Sequence, residues 1–395
     1  MQHCTFLSVF YIKITIMKKA RILSLFVFII LSGICFSCNN TKKGKIQLIN
    51  GEYIDTAQFE KFITSQMDSL ALPALSIAVI NNNKVVFHKA LGVANVDTQE
   101  SVDNNSIYEV ASLSKPIFSY FVLKYVDRGL INFDTPLYKY MPYPDIEQDK
   151  RYQLITARMA LSHQTGFPNW RYFEMADTSL HINYGDLYLK FTPGTQFAYS
   201  GEGYLYLAKV IASLNNCDLQ TLDNLFQKEV AEPMGMRRAY FRGNEYVSKH
   251  KISGHKQGTV FYKKWPTSFP DQDSSTFGAA GGLHTNAIDY AKFLIGLSEK
   301  KGLSASSYNE MFKAQVLLPK EHSMYQESGN AAWGLGIAIR PTPFGIIYEH
   351  GGNNGNFQSG FILSLDKKIG YVFLTNCDQG HSFNEKLSVF FTKQK

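Results

Sequence analysis

Strand-like segments stand at the two ends of this chain with helix-like segments between them, and that separation restricts the fold more than any other feature. Near the start, "ALSIAVINNNKVVFHKALG" carries two apolar runs around Asn81, Asn82 and Asn83, the pattern of a hairpin. Near the other end, "FGIIYEHGG", "SGFILSL" and "IGYVFLTN" give three more strands, the last two joined by a turn at Asp366, Lys367 and Lys368, and a final helix is expected from Asn384. No internal repeat and no Pro/Gly/Ser linker divides the region between them. The pattern predicts the α+β class, an α/β sandwich: one antiparallel sheet built from both chain ends, covered by helices, with a mainly helical lobe inserted. A cleft between sheet and lobe is then the natural place for a ligand.

One helix has an unusual mouth. In "YEVASLSKPIFSYFVLKYVDRG", Ile117, Phe118, Phe121, Val122, Tyr125 and Val126 recur at three-and-four spacing, while Lys124, Asp127 and Arg128 fall on the other face and Gly129 follows as a stop. The spacing predicts a helix with one buried stripe. Proline is tolerated only in the first turn, so Pro116 puts the helix start near Ala111 to Leu113. Ser112 then sits at the amino-terminal end, where free amides favour negative charge, and Lys115 lies over the same face. A hydroxyl beside an amine is a nucleophile beside a base, although a serine at a helix start is more often only a cap.

The chain's formal charge of +7 is no footprint for nucleic acid. Lys13, Lys18, Lys19, Arg21, Lys42, Lys43 and Lys45, with no acidic residue among the first fifty positions, account for all of it. Those positions read as a leader. A basic start, an apolar run from Ile22 to Leu31 too short to cross a bilayer, and small residues before Cys38 predict a secretory signal over residues 1–38, with a linker over 39–51 and one domain over 52–392. Ser37 before Cys38 resembles the lipobox of bacterial lipoproteins, which implies lipidation at Cys38 and a place in the cell envelope; cleavage without lipid is the alternative. Cys35 fits less well because Ile34 precedes it. Only Cys217 and Cys377 would remain in the folded part, too few for a zinc site or a disulfide framework. The histidines show no metal-binding spacing, and "GAAGG" lacks the Gly-Lys-Ser/Thr of a phosphate loop, so no metal and no cofactor is expected.

Two further stretches complete a constellation. "FTPGTQFAYSGEGYLYLAKV" sets a Pro-Gly turn before Tyr199, Ser200 and Gly201, and "YEHGGNNGNFQSGFILSL" sets His350, Gly351 and Gly352 at a strand end before Asn353. With these, the chain resembles the serine β-lactamase and penicillin-binding-protein superfamily, nearest its class C β-lactamase, D-alanyl-D-alanine carboxypeptidase and esterase branch. S-x-x-K falls on Ser112 and Lys115, Y-x-N on Tyr199 with Gly201 in the asparagine place, and K-T-G or H-x-G on His350, Gly351 and Gly352. "ALSHQTGFPNW", "GAAGGLHTNAIDYAKF" and "WGLGIAI" follow the family's order.

The resemblance implies that Ser112 attacks a carbonyl and forms an acyl-enzyme, with Lys115 or Tyr199 taking its proton; the sequence leaves both open as the base. It implies an oxyanion site at the amides of Ser112 and Asn353, close approach of the strand end through Gly351 and Gly352, and a positioning or proton-passing role for His350. His163 reads as structural. Gly201 and His350 depart from the β-lactam-hydrolysing pattern, since glycine offers no side-chain amide and a neutral histidine makes a weak claim on a carboxylate. The expectation is a serine hydrolase for an ester or amide, with a small-molecule or peptide acyl substrate and weak or no β-lactamase activity. Three other readings are an acyltransferase onto an alcohol, with Trp170, Tyr172 and Phe173 as possible cleft aromatics; a carboxypeptidase or β-lactamase; and a non-catalytic penicillin-binding sensor.

Overall fold

The computed structural model describes residues 44–172, 182–262 and 275–392. The leader with Cys38 and Cys35, and Phe173, lie outside these residues. The larger of two compact units begins at Ile46. The later part of the stretch expected as linker therefore enters the fold: Ile46, Leu48 and Ile49 are buried, and the Ile49 amide donates to the Phe391 carbonyl at 3.2 Å. The apolar residues of "IQLI" lose contact with water by packing, which a solvated linker would forgo.

The central element is a nine-stranded sheet. Its strands in chain order are β1 (Ala74–Asn81), β2 (Lys84–Asn95), β3 (Glu100–Ser101), β4 (Val316–Leu317), β5 (Ala332–Trp333), β6 (Ala338–Thr342), β7 (Gly345–Asn353), β8 (Gln358–Ser364) and β9 (Ile369–Thr375). They lie in the order β4-β5-β6-β7-β8-β9-β1-β2-β3, and every pairing is antiparallel. The two chain ends meet at the β9–β1 pair, where Ile77 faces Phe373 and Val79 faces Tyr371. The β1–β2 hairpin turns on Asn82 and Asn83, both with positive φ (51° and 58°), the conformation that asparagine tolerates better than most residues and that a two-residue hairpin requires.

Side chains alternate across the sheet and feed two cores. Leu75, Ile77, Val79, Ile362, Tyr371 and Phe373 pack with Phe59 and Ile63 of α1 (Thr56–Ser69) and with residues of the carboxy-terminal helix. Ala74, Ala78, Ile80, Phe361, Leu363 and Val372 pack on the opposite side, against α2 (Ser114–Asp127), α3 (Glu202–Leu214) and α4 (Ala287–Ser298). The last helix, α5 (Gly380–Thr392), starts four residues earlier than Asn384. Among the described residues no helix is long and apolar enough to cross a membrane.

The expected single stripe on α2 is a further correction. Every residue from Ser114 to Leu123 is buried, including Lys115 and Ser119. The helix lies inside the larger core rather than on its edge, so its polar residues must find partners within the protein.

Candidate active site

Ser112 sits in a tight turn, Ala111–Leu113, that carries the short strand Tyr108–Glu109 into α2. Ala111 has a φ of 49°, a left-handed conformation that costs an L-residue on the order of 1 kcal/mol. Surrounding bonds hold it there. The Val110 amide donates to Leu283 O (3.0 Å), Leu113 N and Ser359 Oγ donate to Val110 O (3.1 and 2.8 Å), and Ser114 Oγ donates to Ala111 O (2.6 Å). The cap positions of this turn and of α2 are Val110 and Leu113, and the Ser112 hydroxyl accepts from the Lys115 side chain.

Lys115 lies one turn on. Its Nζ is 3.1 Å from Ser112 Oγ and donates to the Ala280 carbonyl at 2.7 Å. The rings of Tyr199 and Tyr204 stand 4.6 and 5.5 Å from the same nitrogen. The side chain is 1% exposed, and no carboxylate among the described residues pairs with it. Removal from water disfavours the ammonium form, and burial pushes the lysine down to about 7. An amine with that value is substantially unprotonated at neutral pH and can accept the serine proton.

Tyr199 lies beside the same pair, its ring 4.6 Å from Lys115 Nζ and its hydroxyl close enough to Ser112 for the serine to favour the phenolate slightly. Burial holds that hydroxyl well above the ordinary phenol value in spite of the serine, so it stays protonated at neutral pH. His163 fixes the segment: its carbonyl accepts from Ala198 N (2.9 Å), its Nδ1 accepts from Ser200 N (3.0 Å), and its ring lies 4.1 Å from that of Tyr199. This is a structural part for a histidine that is fully buried.

His350 lies on β7, 6.2 Å ring to ring from Tyr199 and 5.4 Å from Trp333. Burial, with the Lys115 charge in addition, lowers it to about 3, so the ring is neutral. Its Nδ1 sits 2.7 Å from Gly351 O, which can only accept, so Nδ1 carries the hydrogen and Nε2 has the lone pair. Nε2 finds no partner among the described residues.

The two glycines after His350 differ. A Cβ on Gly352 would collide with Val110 O and Ser359 Oγ, so glycine there lets β7 lie against the turn that carries Ser112. Its place is beneath that turn, buried, rather than on the cleft wall. A Cβ on Gly351 would meet only His381 Nε2, at 3.9 Å.

Ser112 opens onto a cavity of about 800 Å³, whose lining includes Asn169, Trp170, Lys251, Asn353 and Phe357. Lys115 and His350 are buried and Tyr199 is half-buried, and the tyrosine ring stands near both, 4.6 Å from Lys115 Nζ and 6.2 Å from the His350 ring. Of the sequence-predicted residues, the fold therefore brings Ser112, Lys115, Tyr199 and His350 together, and sets Asn353 on the same cavity as the serine. Sequence reasoning missed the Ala280 carbonyl, which anchors the lysine from 165 positions away. It also missed a polar cluster on the cavity wall. Lys251 Nζ pairs with Glu109 Oε1 at 2.5 Å, and Asn354 Nδ2 donates to Glu109 Oε2 at 2.7 Å. Burial raises the Glu109 carboxyl, but the charges of Lys251 and His284 and the bonds from Lys251 and Asn354 outweigh it and keep the group below its usual range. Tyr172 packs by Gly185 and Tyr184, away from the cavity lining. Cys217 and Cys377 are both free thiols. Among the described residues no group of His, Cys, Asp and Glu is arranged to hold a metal.

Compared with known proteins, residues 59–389 match the family model for β-lactamase. Protein flp of Staphylococcus aureus (strain MW2) is 25% identical over 211 residues, which cover 51% of this chain and 42% of that protein. The match thus spans less than half the length of that relative. Penicillin-binding protein 4* of Bacillus subtilis (strain 168) is 21% identical over 340 residues, covering 79% of this chain and 70% of that one. Among solved structures, the octameric penicillin-binding protein homologue from Pyrococcus abyssi superposes with a TM-score of 0.66 at 24% identity, covering 82% of this chain and 74% of that chain. SurE superposes with a TM-score of 0.69 at 20% identity, covering 85% and 75%. At those identities the two structures speak for the fold.

Proposed function

The chain belongs to the β-lactamase family, and we propose that within it the protein is a serine acyl-enzyme hydrolase for esters or peptide-like amides, with weak or no activity on β-lactams. The observation that carries this reading is Lys115 Nζ at 3.1 Å from Ser112 Oγ, in a setting that leaves a substantial fraction of the amine unprotonated near neutral pH. Lys115 takes the hydroxyl proton as Ser112 Oγ bonds the acyl carbon. The bond to the leaving group then breaks, and that group departs with a proton returned through Lys115 or the Tyr199 hydroxyl. Water repeats the sequence on the acyl-serine, releasing the carboxylic acid. Between the two bases, burial favours Lys115: it makes the lysine easier to find unprotonated and the tyrosine harder. The amides of Ser112 and Asn353 serve the oxyanion; donors of this kind typically lower the barrier by about 3 kcal/mol each.

Two features argue against β-lactams. Gly201 has no side-chain amide to offer, and His350 carries no charge with which to hold a carboxylate. The test is the intact mass of the protein and of its Ser112→Ala variant after brief exposure to an activated acyl ester and to penicillin. The expected result is a Ser112-dependent acyl adduct or ester turnover with no lasting penicillin adduct. A lasting penicillin adduct, or efficient hydrolysis of a cephalosporin, would overturn the reading.

Acyl transfer to an alcohol is a second reading, favoured by a cavity near the upper end of the size found for small-molecule sites and by its aromatic lining, which would compete against water. Product analysis with an acyl donor and candidate alcohols checks it. Hydrolysis alone in every mixture would remove it.

A further inference from the structure

Gly201 is not a glycine for the sake of its backbone. Its φ and ψ, −77° and −33°, are those of any helical residue. What forbids a side chain is Trp170: a Cβ at position 201 would lie 2.5, 2.6 and 2.7 Å from indole Cζ2, Cη2 and Cε2. The six-membered ring of the indole therefore fills the volume through which any side chain at 201 would have to leave the helix.

The indole is held there by its neighbours on both sides. Ser200 Oγ donates to Pro168 O at 2.8 Å, and Gly201 N lies 3.0 Å from both the carbonyl and the side-chain Oδ1 of Asn169. Arg171 then closes the strap. Its amide and its guanidinium both donate to Glu202, at 3.1 and 2.8 Å, and a second guanidinium nitrogen reaches Asp145 at 2.7 Å. Glu202 is fully buried, so this ion pair is a fixed point rather than a surface contact. Residues 168–171 are thus sewn onto residues 200–202, and Trp170 has little freedom to leave Gly201.

Trp170 is nonetheless not fully buried, and it lines the cavity that Ser112 opens onto. Phe261 and Tyr262 line the same cavity, and their side chains are 39% and 73% exposed. The part of the Trp170 indole that lines the cavity, seated by the strap, offers stacking with little entropic penalty for ordering it. The faces of these rings, unlike the indole N–H and the phenol hydroxyl at their edges, offer no hydrogen bond to a polar substituent on an acyl chain, and a substituent buried against a face without a partner would lose its hydration.

We propose that Trp170 is the specificity-determining residue of the acyl side of this cleft, selecting acyl groups that are apolar and flat, such as arylacetyl, over short or amide-bearing ones. The proposal rests on the hydrolase reading for its kinetics but has a binding arm that does not. In the kinetic arm, kcat/KM is compared for p-nitrophenyl acetate and p-nitrophenyl phenylacetate, which share a leaving group, in the wild type and in Trp170→Ala and Trp170→Phe. The strap bonds involve residues 168, 169 and 171, so they survive these substitutions. Trp170→Ala is expected to lower kcat/KM for the phenylacetate about tenfold or more while leaving the acetate within about threefold, and Trp170→Phe to keep most of the preference. An equal fall for both esters would reduce the indole to a packing residue, and no change for either would remove it from the site.

In the binding arm, ethyl phenylacetate is titrated by calorimetry into Ser112→Ala and into Ser112→Ala/Trp170→Ala. Weaker binding in the double variant supports the subsite even if no ester acylates the wild type, a result that would sink the hydrolase reading alone. Equal binding in the two proteins overturns the subsite whatever the kinetics of Ser112.

Discussion

The amine of Lys115 stands 3.1 Å from the hydroxyl of Ser112, and no carboxylate among the described residues holds its charge. This one relationship links burial to chemistry. The same desolvation that makes the ammonium ion unfavourable leaves a free amine where a proton must be taken. The acylation rate should therefore rise with pH through an inflection near 7 and level off above it. Lys115→Arg keeps a cation with no accessible free base, and it should lower the burst of p-nitrophenolate from an activated ester by about a thousandfold without the inflection. An unchanged profile in that variant would assign the base elsewhere.

The S-x-x-K spacing made the contact between Ser112 and Lys115 legible in the sequence, because residues three apart share a helix face. The hairpin at Asn82 and Asn83 and the three late strands were legible for an equally local reason, their alternation and turn residues. What the sequence could not carry is long-range. The state of Lys115 depends on Ala280 and on the rings of Tyr199 and Tyr204, brought from far along the chain. The burial of α2 on all sides from Ser114 to Leu123 depends on what packs around those turns, which no periodicity within the helix reports. Gly201 could be read as an absence of a side chain, but that Trp170 occupies its place is a fact of two loops meeting.

A second consequence of the lysine concerns stability. Its folded-state value of about 7 lies below the ordinary 10.5, so between those pH values the unfolded chain holds more protons than the folded one. The unfolding free energy contributed by this group therefore rises as pH increases from 7 to 10.5, and its penalty is fully present below 7. Lys115→Met removes the titration. Denaturant unfolding of the two proteins across pH 6 to 10 should show the difference between them shrinking as pH rises, by an amount on the order of 4 kcal/mol over the full window. A constant difference would mean that the lysine is charged in the fold.

The strap that seats Trp170 predicts a strongly non-additive pair. Arg171→Met leaves the Glu202 carboxylate fully buried without its guanidinium partner, at a cost of about 3–5 kcal/mol. Glu202→Leu in the same background removes the stranded charge, and the double variant should recover a large part of the loss in chemical denaturation. If the double variant is as unstable as the sum of the singles, the pair is not the coupled unit that its bonds describe.

The two glycines after His350 give the last contrast, because they are adjacent in sequence and opposite in circumstance. At position 352 a Cβ meets Val110 O and Ser359 Oγ, one a backbone atom just before the Ser112 turn and the other the hydroxyl that holds that same carbonyl. Neither can retreat without moving Ala111 out of its strained, bond-held conformation, and Ser112 with it. Gly352→Ala should thus cost about 1–3 kcal/mol in stability and also lower the acylation rate of the protein that remains folded. At position 351 the nearest atom is 3.9 Å away, so Gly351→Ala should change stability by no more than about 0.5 kcal/mol. Measured together by thermal unfolding and by ester turnover per folded molecule, the pair separates two explanations of a glycine-rich strand end. If both alanine variants acylate normally, β7 does not support the turn; if only Gly352→Ala is slowed, the glycine serves the position of the serine through its backbone.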